Sequence, residues 1–283
     1  MTRLPDGLTD DAGAVLREAA VTAILPRYRA LAASEIEEKS PGELVTVADR
    51  EAEAILTRGL AALLPGSRVI GEEGCAADPS LIDAAGEGLV WLVDPLDGTA
   101  NFAAGEPVFA VMAALLRHGE TIGAWILDPL EDVLSSAELG AGATVPWRKP
   151  EPSIPPATGP RLSPGNMKGS IGRFMPPDIA AAVAKRAEAF GALLPNMKCA
   201  GAEYPAIAAG ERDFAFYWRT LAWDHAAGVL LLNEAGGKAA RPDGSPYRPG
   251  SAGSGLLAAR SPEAWERVQA ALAAGDLASR SNA

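Results

Sequence analysis

The sequence predicts a layered α/β protein, and three features carry that expectation. Helical and extended patterns alternate along the chain without a strict βαβ rhythm, which suits sheets covered by helices. The run 89–93 is apolar at every position, as a strand buried on both faces must be. Two more apolar runs, 109–116 and 121–127, flank Arg117-His118-Gly119-Glu120, the pattern of a hairpin with a longer turn.

The elements follow in order. A helix is expected over 9–31, where Thr9, Asp10 and Asp11 offer N-caps and Val15, Ala19, Thr22 and Leu25 recur at helical spacing. Pro26 should kink or end it. A second helix is expected over 47–64, because Thr46 and Asp49 have capping-box spacing and Pro65-Gly66 is a stop. A short strand, 68–70, leads into Gly71-Glu72-Glu73-Gly74, and the strand 89–93 and the hairpin follow. From Pro146 to Pro164 the chain holds seven prolines, a loop or linker that divides it into halves 1–145 and 146–283. The second half reads as helices at 178–190, 204–209, 223–234 and 262–273, with strands at 213–218, 238–240 and 256–259. The tail 279–283 should fray.

Composition excludes several classes. The chain of 283 residues is 48% hydrophobic, enough for a large core, and its formal net charge is -11. That charge argues against nucleic-acid binding through a basic face, but metal ions can invert the local field and admit a small anionic substrate. Cys75 and Cys199 form no C-x-x-C, and His118 and His225 lie far apart, so a Cys/His zinc site is not expected. The first residues carry no apolar signal region, and no apolar run approaches the roughly 20 residues that span a bilayer. A cytoplasmic protein with reduced cysteines and no membrane partner is expected.

Residues 91–102 read W-L-V-D-P-L-D-G-T-A-N-F. A buried strand that ends in Asp94 and Asp97 is suited to hold a cation. Gly98-Thr99 then opens a short helix whose free N–H groups suit a phosphate. Glu72 and Glu73 end another short strand, and if the two strands are neighbours Glu72 comes within reach of Asp94. Mg²⁺ takes oxygen ligands at about 2.0–2.1 Å, and these carboxylates with the Leu96 carbonyl make a plausible two-metal cradle. On an extended chain Glu73 should point away from Glu72. Asp224 is either a helix N-cap or a ligand, and the two are not exclusive. His225 reads as a packed helix residue. Thr99 can bond a carboxylate and orient a water, with Asp49 as its partner.

Taken together, these residues resemble the inositol monophosphatase family of metal-dependent, lithium-sensitive phosphatases. The resemblance rests on Gly71-Glu72-Glu73, on 91–102, on Trp223-Asp224 with Glu234-Ala235-Gly236-Gly237, and on Leu44-Val45-Thr46-Val47-Ala48-Asp49 preceded by Lys39. It runs in family order over about 8–275. It implies a five-layer α/β/α/β/α sandwich with the site between the halves, and hydrolysis of a small phosphate monoester by activated water. Glu72, Asp94 and the Leu96 carbonyl resemble the ligands of a first Mg²⁺; Asp94, Asp97 and Asp224 resemble those of a second; Glu72 could reach a third. Thr99 and Asp49 resemble the catalytic pair, Glu73 a supporting residue, and the N–H groups of Gly98 and Thr99 the phosphate cradle. Relatives are commonly homodimers.

The alcohol side departs from the pattern. Inositol-specific members carry a glutamate seven residues before the W-D aspartate, where this chain has Tyr217. Phe214, Phe216 and Trp218 could alternate inward while Tyr217 and Arg219 face outward, or Tyr217 and Arg219 could choose the substrate, Arg219 meeting a second phosphate or a carboxylate. Glu203 is an unusual charge in the family's small-residue segment and either contacts substrate or pairs at the surface. Asp97 and Asp224 could touch substrate as well. Lys39 precedes a mobile-looking segment, 40–43, in which Glu43 replaces the family's aspartate. The leading substrate is myo-inositol monophosphate. The alternatives are histidinol phosphate, fructose 1,6-bisphosphate, a 3'-phosphoadenosine nucleotide or NADP, or a regulatory member with vestigial catalysis.

Overall fold

The computed structural model describes residues 3–40, 43–146, 163–251 and 253–273. Eight α-helices are defined within them: α1 (Leu8–Ala19), α2 (Val47–Leu63), α3 (Glu72–Ala77), α4 (Thr99–Ala103), α5 (Pro177–Ala187), α6 (Ala200–Ala208), α7 (Ala222–Glu234) and α8 (Pro262–Ala273). A hairpin pairs β1 (Ile36–Ser40) with β2 (Glu43–Thr46). Six strands, β3 (Arg68–Gly71), β4 (Leu89–Asp97), β5 (Ala110–Arg117), β6 (Glu120–Asp128), β7 (Val133–Glu138) and β8 (Gly142–Thr144), form one sheet in sequence order. Five more, β9 (Lys168–Ile171), β10 (Ala192–Leu193), β11 (Phe214–Tyr217), β12 (Lys238–Ala240) and β13 (Leu256–Ala259), form a second sheet in the order β10-β9-β11-β13-β12.

Side-chain alternation on these strands builds the layers. Trp91, Val93, Val111, Ala113, Leu115 and Trp125 face α1 and α2 in one core. Their neighbours Val90, Leu92, Met112, Ala114 and Leu116 face the opposite way, onto Ala202 of α6 and Ala226, Ala227, Leu230 and Leu231 of α7. The far sides of α6 and α7 present Tyr204, Ile207, Val229 and Leu232 to Ala215, Tyr217, Leu256 and Ala258 of the second sheet. Phe214, Phe216, Leu257 and Ala259 cover that sheet's other face against α5 and α8. The order is therefore α1/α2, sheet, α6/α7, sheet, α5/α8: the expected five-layer sandwich. Helices α6 and α7 are buried on both sides, which explains why their apolar residues run all the way round.

Several boundaries differ from the expectation. The first helix does not continue to 31. It passes into a π-helical turn, Ala20–Ile24, and a short 3₁₀ turn, Leu25–Arg27, which Pro26 tolerates near its start. Strand β4 runs on through both aspartates instead of stopping at 93. Strands β7 to β10 and the β1/β2 hairpin were not expected, because they are short or polar. Pro41 and Gly42 of the segment read as mobile, most of the proline-rich stretch, and the tail 279–283 lie outside the described residues.

Candidate active site

The site grows from the end of β4. Pro95 has no N–H for the ladder, and the pairing with β5 slips there: Asp94 faces Met112 and Asp97 faces Ala110, so two residues of β4 oppose Val111 alone. Asp94 is 2% exposed, and its Oδ1 accepts from Leu96 N at 3.0 Å. Gly98 then takes φ 88°, the left-handed region. A Cβ there would stand 2.9 Å from Val108 O and 3.1 Å from Cys199 Cβ, so only glycine fits. Helix α4 starts at the next residue, Thr99.

Parallel pairing of β3 with β4, Gly71 opposite Val93, makes the two strands neighbours and brings Glu72 to Asp94. Glu72 and Glu73 do not continue an extended chain, however. They open helix α3, whose first N–H groups are capped by Glu53: Oε2 accepts from Glu73 N and Oε1 from Gly74 N, both at 2.8 Å. The two side chains therefore part through the first turn of a helix and not through alternation along an extended strand. Lys39 Nζ donates to Glu72 Oε1 at 3.0 Å and also to Glu73 Oε1. Glu72 lines the central pocket, whereas Glu73 lines a separate groove behind it with Lys39 and Glu53.

Asp49 serves its own helix and the site together. Its Oδ2 accepts from Thr46 N at 2.8 Å and Thr46 Oγ1 at 2.6 Å, the capping box expected for α2. Its Oδ1 accepts from Thr99 Oγ1 at 2.9 Å. Burial pushes Asp49 up to about 6, against the opposing pull of those hydrogen bonds.

Asp224 lies in the first turn of α7 and is not its N-cap, which is Leu221. It lines the pocket with Glu72, Asp94 and Asp97. Burial raises all four: Glu72 to about 7, Asp97 to about 6, and Asp94 and Asp224 well above the usual carboxylate range. Asp94 is raised further by Glu72, Asp97 and Asp224, and Asp224 by Asp97 and Glu72. Asp97 Oδ2 also accepts from Gly201 N at 2.6 Å, and the N–H groups of Ala200 and Gly98 hold the same carboxylate down. Here the Gly98 N–H assigned to a phosphate cradle turns toward Asp97. His225 is buried and neutral, lowered to about 3 by burial. Its Nδ1 meets Tyr204 OH at 3.0 Å and its Nε2 meets Arg219 O at 3.3 Å, so it packs the helix as expected.

The donor set fits a hard divalent cation: four clustered carboxylates and the Leu96 carbonyl, all oxygen, in a repulsive pocket that positive charge would relieve. Among the described residues no three carboxylate, imidazole or thiol groups stand close enough to form a closed metal cage. The ammonium of Lys39 stands against Glu72 instead.

On the alcohol side, Glu203 is 1% exposed and is no surface residue. Ser170 Oγ donates to its Oε1, as does Arg212 Nη1 at 3.1 Å; Tyr217 OH donates to its Oε2 at 3.1 Å, and Asn196 Nδ2 approaches Oε2 at 3.4 Å. Tyr217 does not face solvent: it is buried, stacks on Tyr204 with ring centroids 5.6 Å apart, and lines the pocket. Arg219 is exposed and ion-paired with Glu43 of β2. Phe214, Phe216 and Trp218 face the core on the other side, as alternation requires. Sequence reasoning missed Ser170, Asn196, Arg212 and Glu53, whose partners lie 7 to 33 residues away along the chain.

A family model described as the inositol monophosphatase family matches residues 8–278. An inositol-1-monophosphatase of Rhizobium meliloti is 36% identical over 220 residues, 75% of this chain and 78% of that one. A Nus factor SuhB of Pseudomonas aeruginosa is 33% identical over 210 residues, 71% and 73% of the two chains. The crystal structure of an extragenic suppressor protein suhB from Bartonella henselae is similar with a TM-score of 0.73 and 25% identity, over 93% of this chain and 99% of that one.

Proposed function

The chain belongs to the inositol monophosphatase family, and from that premise we propose that it hydrolyses small phosphate monoesters with two Mg²⁺ ions. The observation that carries this reading is the Thr99 Oγ1 to Asp49 Oδ1 bond of 2.9 Å, beside Glu72, Asp94, Asp97 and Asp224 in one pocket. Those four carboxylates and the Leu96 carbonyl would hold the ions, with Asp94 shared. When bound there, the cations would supply charge stabilisation to the phosphoryl group and acidify the attacking water.

The residues themselves supply proton management. Thr99 has one hydroxyl proton, and the carboxylate of Asp49 is its strongest acceptor, ahead of Leu96 O at 3.0 Å. With that proton committed, the Thr99 oxygen can accept one from water. As water attacks phosphorus, the new O–P bond forms while the ester P–O bond breaks; the water proton passes to Thr99 and the Thr99 proton to Asp49, whose raised pKa suits it as a base near neutral pH, and the departing alcohol oxygen takes a proton from solvent. Burial of Asp49 and Asp94 keeps bulk water from competing for these groups. Glu73, turned away behind Glu72, fits a supporting role through Lys39.

Inositol monophosphate is the reference substrate, and Tyr217 in place of a glutamate argues for a range that extends beyond it. Phosphate release from a panel of monoesters, with Mg²⁺ and with chelator, tests the reading. Release from none of them in Mg²⁺ would overturn it.

A further inference from the structure

The central pocket is acidic at its buried end and has a different character where it opens. Of all the residues that line it, the four exposed ones are Arg173, Phe174, Lys198 and Arg219. On a chain of net charge -11, an opening whose exposed lining is three cations and one aromatic ring is a departure that needs a cause.

The opening is also organised. The Arg219 guanidinium stands 4.0 Å from the Phe174 ring centroid and that of Arg173 5.2 Å from it, so one ring supports both cations. Glu43 fixes Arg219 from the other side. Among the described residues neither Arg173 nor Lys198 has a carboxylate partner. Phe174 at φ 65° and Lys198 at φ 54° both hold backbone conformations that side-chain-bearing residues rarely adopt, and such positions concentrate where ligands are clamped. The Asn196 side chain fixes the second of these by accepting from Lys198 N at 2.7 Å.

On the reading proposed above, the transferred phosphate is already met by the carboxylate-held cations at the buried end. Arg173 and Lys198 then have no anionic partner among the described residues, and the substrate can bring one. We infer that the opening is a second anion subsite: the preferred substrate is a phosphate ester whose alcohol carries another oxyanion, phosphate or carboxylate, bound by Arg173, Lys198 and Arg219. This rests on the phosphatase reading and adds the class of alcohol. General electrostatic steering would favour every phosphate ester alike, whereas a subsite discriminates between esters that differ only in the second anion.

The test compares matched pairs in Mg²⁺ at fixed ionic strength: fructose 1,6-bisphosphate with fructose 1-phosphate, and 3-phosphoglycerate with glycerol 3-phosphate. The expected result is a higher kcat/KM for the doubly anionic member of at least one pair, and which pair responds separates phosphate from carboxylate. In the R173A/K198A double variant that ratio should fall by about tenfold to a hundredfold, mainly through KM, as for lost charge-assisted hydrogen bonds. The R173K/K198R variant should restore much of it. A wild-type ratio near one in both pairs, or an equal loss for both members in the double variant, would overturn the subsite and leave the phosphatase reading standing. Turnover of no ester would overturn the phosphatase reading instead. Calorimetric binding of the same four compounds would then decide the subsite, equal affinity within each pair refuting it.

Discussion

Replacing Glu203 tests whether its buried carboxylate is the keystone of the alcohol side. Four donors converge on it, Ser170 and Arg212 on Oε1 and Tyr217 and Asn196 on Oε2. In Glu203→Ala the Arg212 cation keeps only Pro195 O, at 3.0 Å, and Ser170 and Tyr217 lose their acceptor inside the protein. Breaking a buried ion pair from one side costs about 3–5 kcal/mol. In Glu203→Gln the amide oxygen can take the Oε1 place and satisfy Ser170 and Arg212. The Tyr217 hydroxyl can then reverse and accept from the amide N–H, because a phenol both donates and accepts. What is lost is charge assistance and the weaker Asn196 contact, about 1–2 kcal/mol. Urea unfolding followed by tryptophan fluorescence should give midpoints in the order wild type, Gln, Ala, with unchanged slopes. Equal midpoints for Gln and Ala, or an Ala variant within about 1 kcal/mol of wild type, would refute the keystone argument.

Other perturbations address the chemistry. Thr99→Ala should lower kcat by about 10²–10⁴-fold with little change in KM, while Thr99→Ser keeps most of the rate; an alanine variant as fast as wild type would remove Thr99 from the proton path. Asp49 is raised to about 6 and must be ionised to act as base, so kcat/KM should climb as pH rises through about 6 and flatten above it. A rate profile flat down to pH 4 would show that another group takes the proton. Chelation should abolish phosphate release, Mg²⁺ should restore it, and Li⁺ should inhibit; full activity in chelator would contradict the carboxylate assignment. Tyr217→Glu would set a second carboxylate against Glu203, so it should destabilise the fold, and thermal unfolding at unchanged temperature would show that the two side chains do not meet.

Much of this architecture was legible because it is local. The capping box of Thr46 and Asp49, the apolar strand before Asp94 and the Gly98-Thr99 turn are each written within a few adjacent residues. The family resemblance then supplied the layer order, which periodicity alone did not. What escaped reading depends on distant partners or weak patterns. Strand β9, Lys-Gly-Ser-Ile, shows no clear alternation, and β10 has only two residues. The helix that carries Glu72 and Glu73 was not legible, because the strand ends at Gly71 and the cap comes from Glu53, 20 residues before Glu73. Glu203 could be read as a substrate contact or a surface charge, but not as a buried acceptor, because nothing near it in sequence announces Ser170, Arg212 and Tyr217 as its donors.

Asp97 is held by more than its candidate chemistry. Its carboxylate accepts from Gly201 N of α6, its carbonyl meets Cys199 Sγ at 3.5 Å, and nearby Asn101 bonds Met197 O at 2.9 Å, so the end of β4 is stapled to the chain entering the middle helical layer. Two selective pressures therefore converge on one side chain. A descendant that abandoned hydrolysis for a purely regulatory life would be released from keeping Thr99, yet it would still need Asp97 to seat α6. Retention of that aspartate is thus poor testimony that a lineage remains an enzyme, and the fate of the threonine two positions later is the better witness.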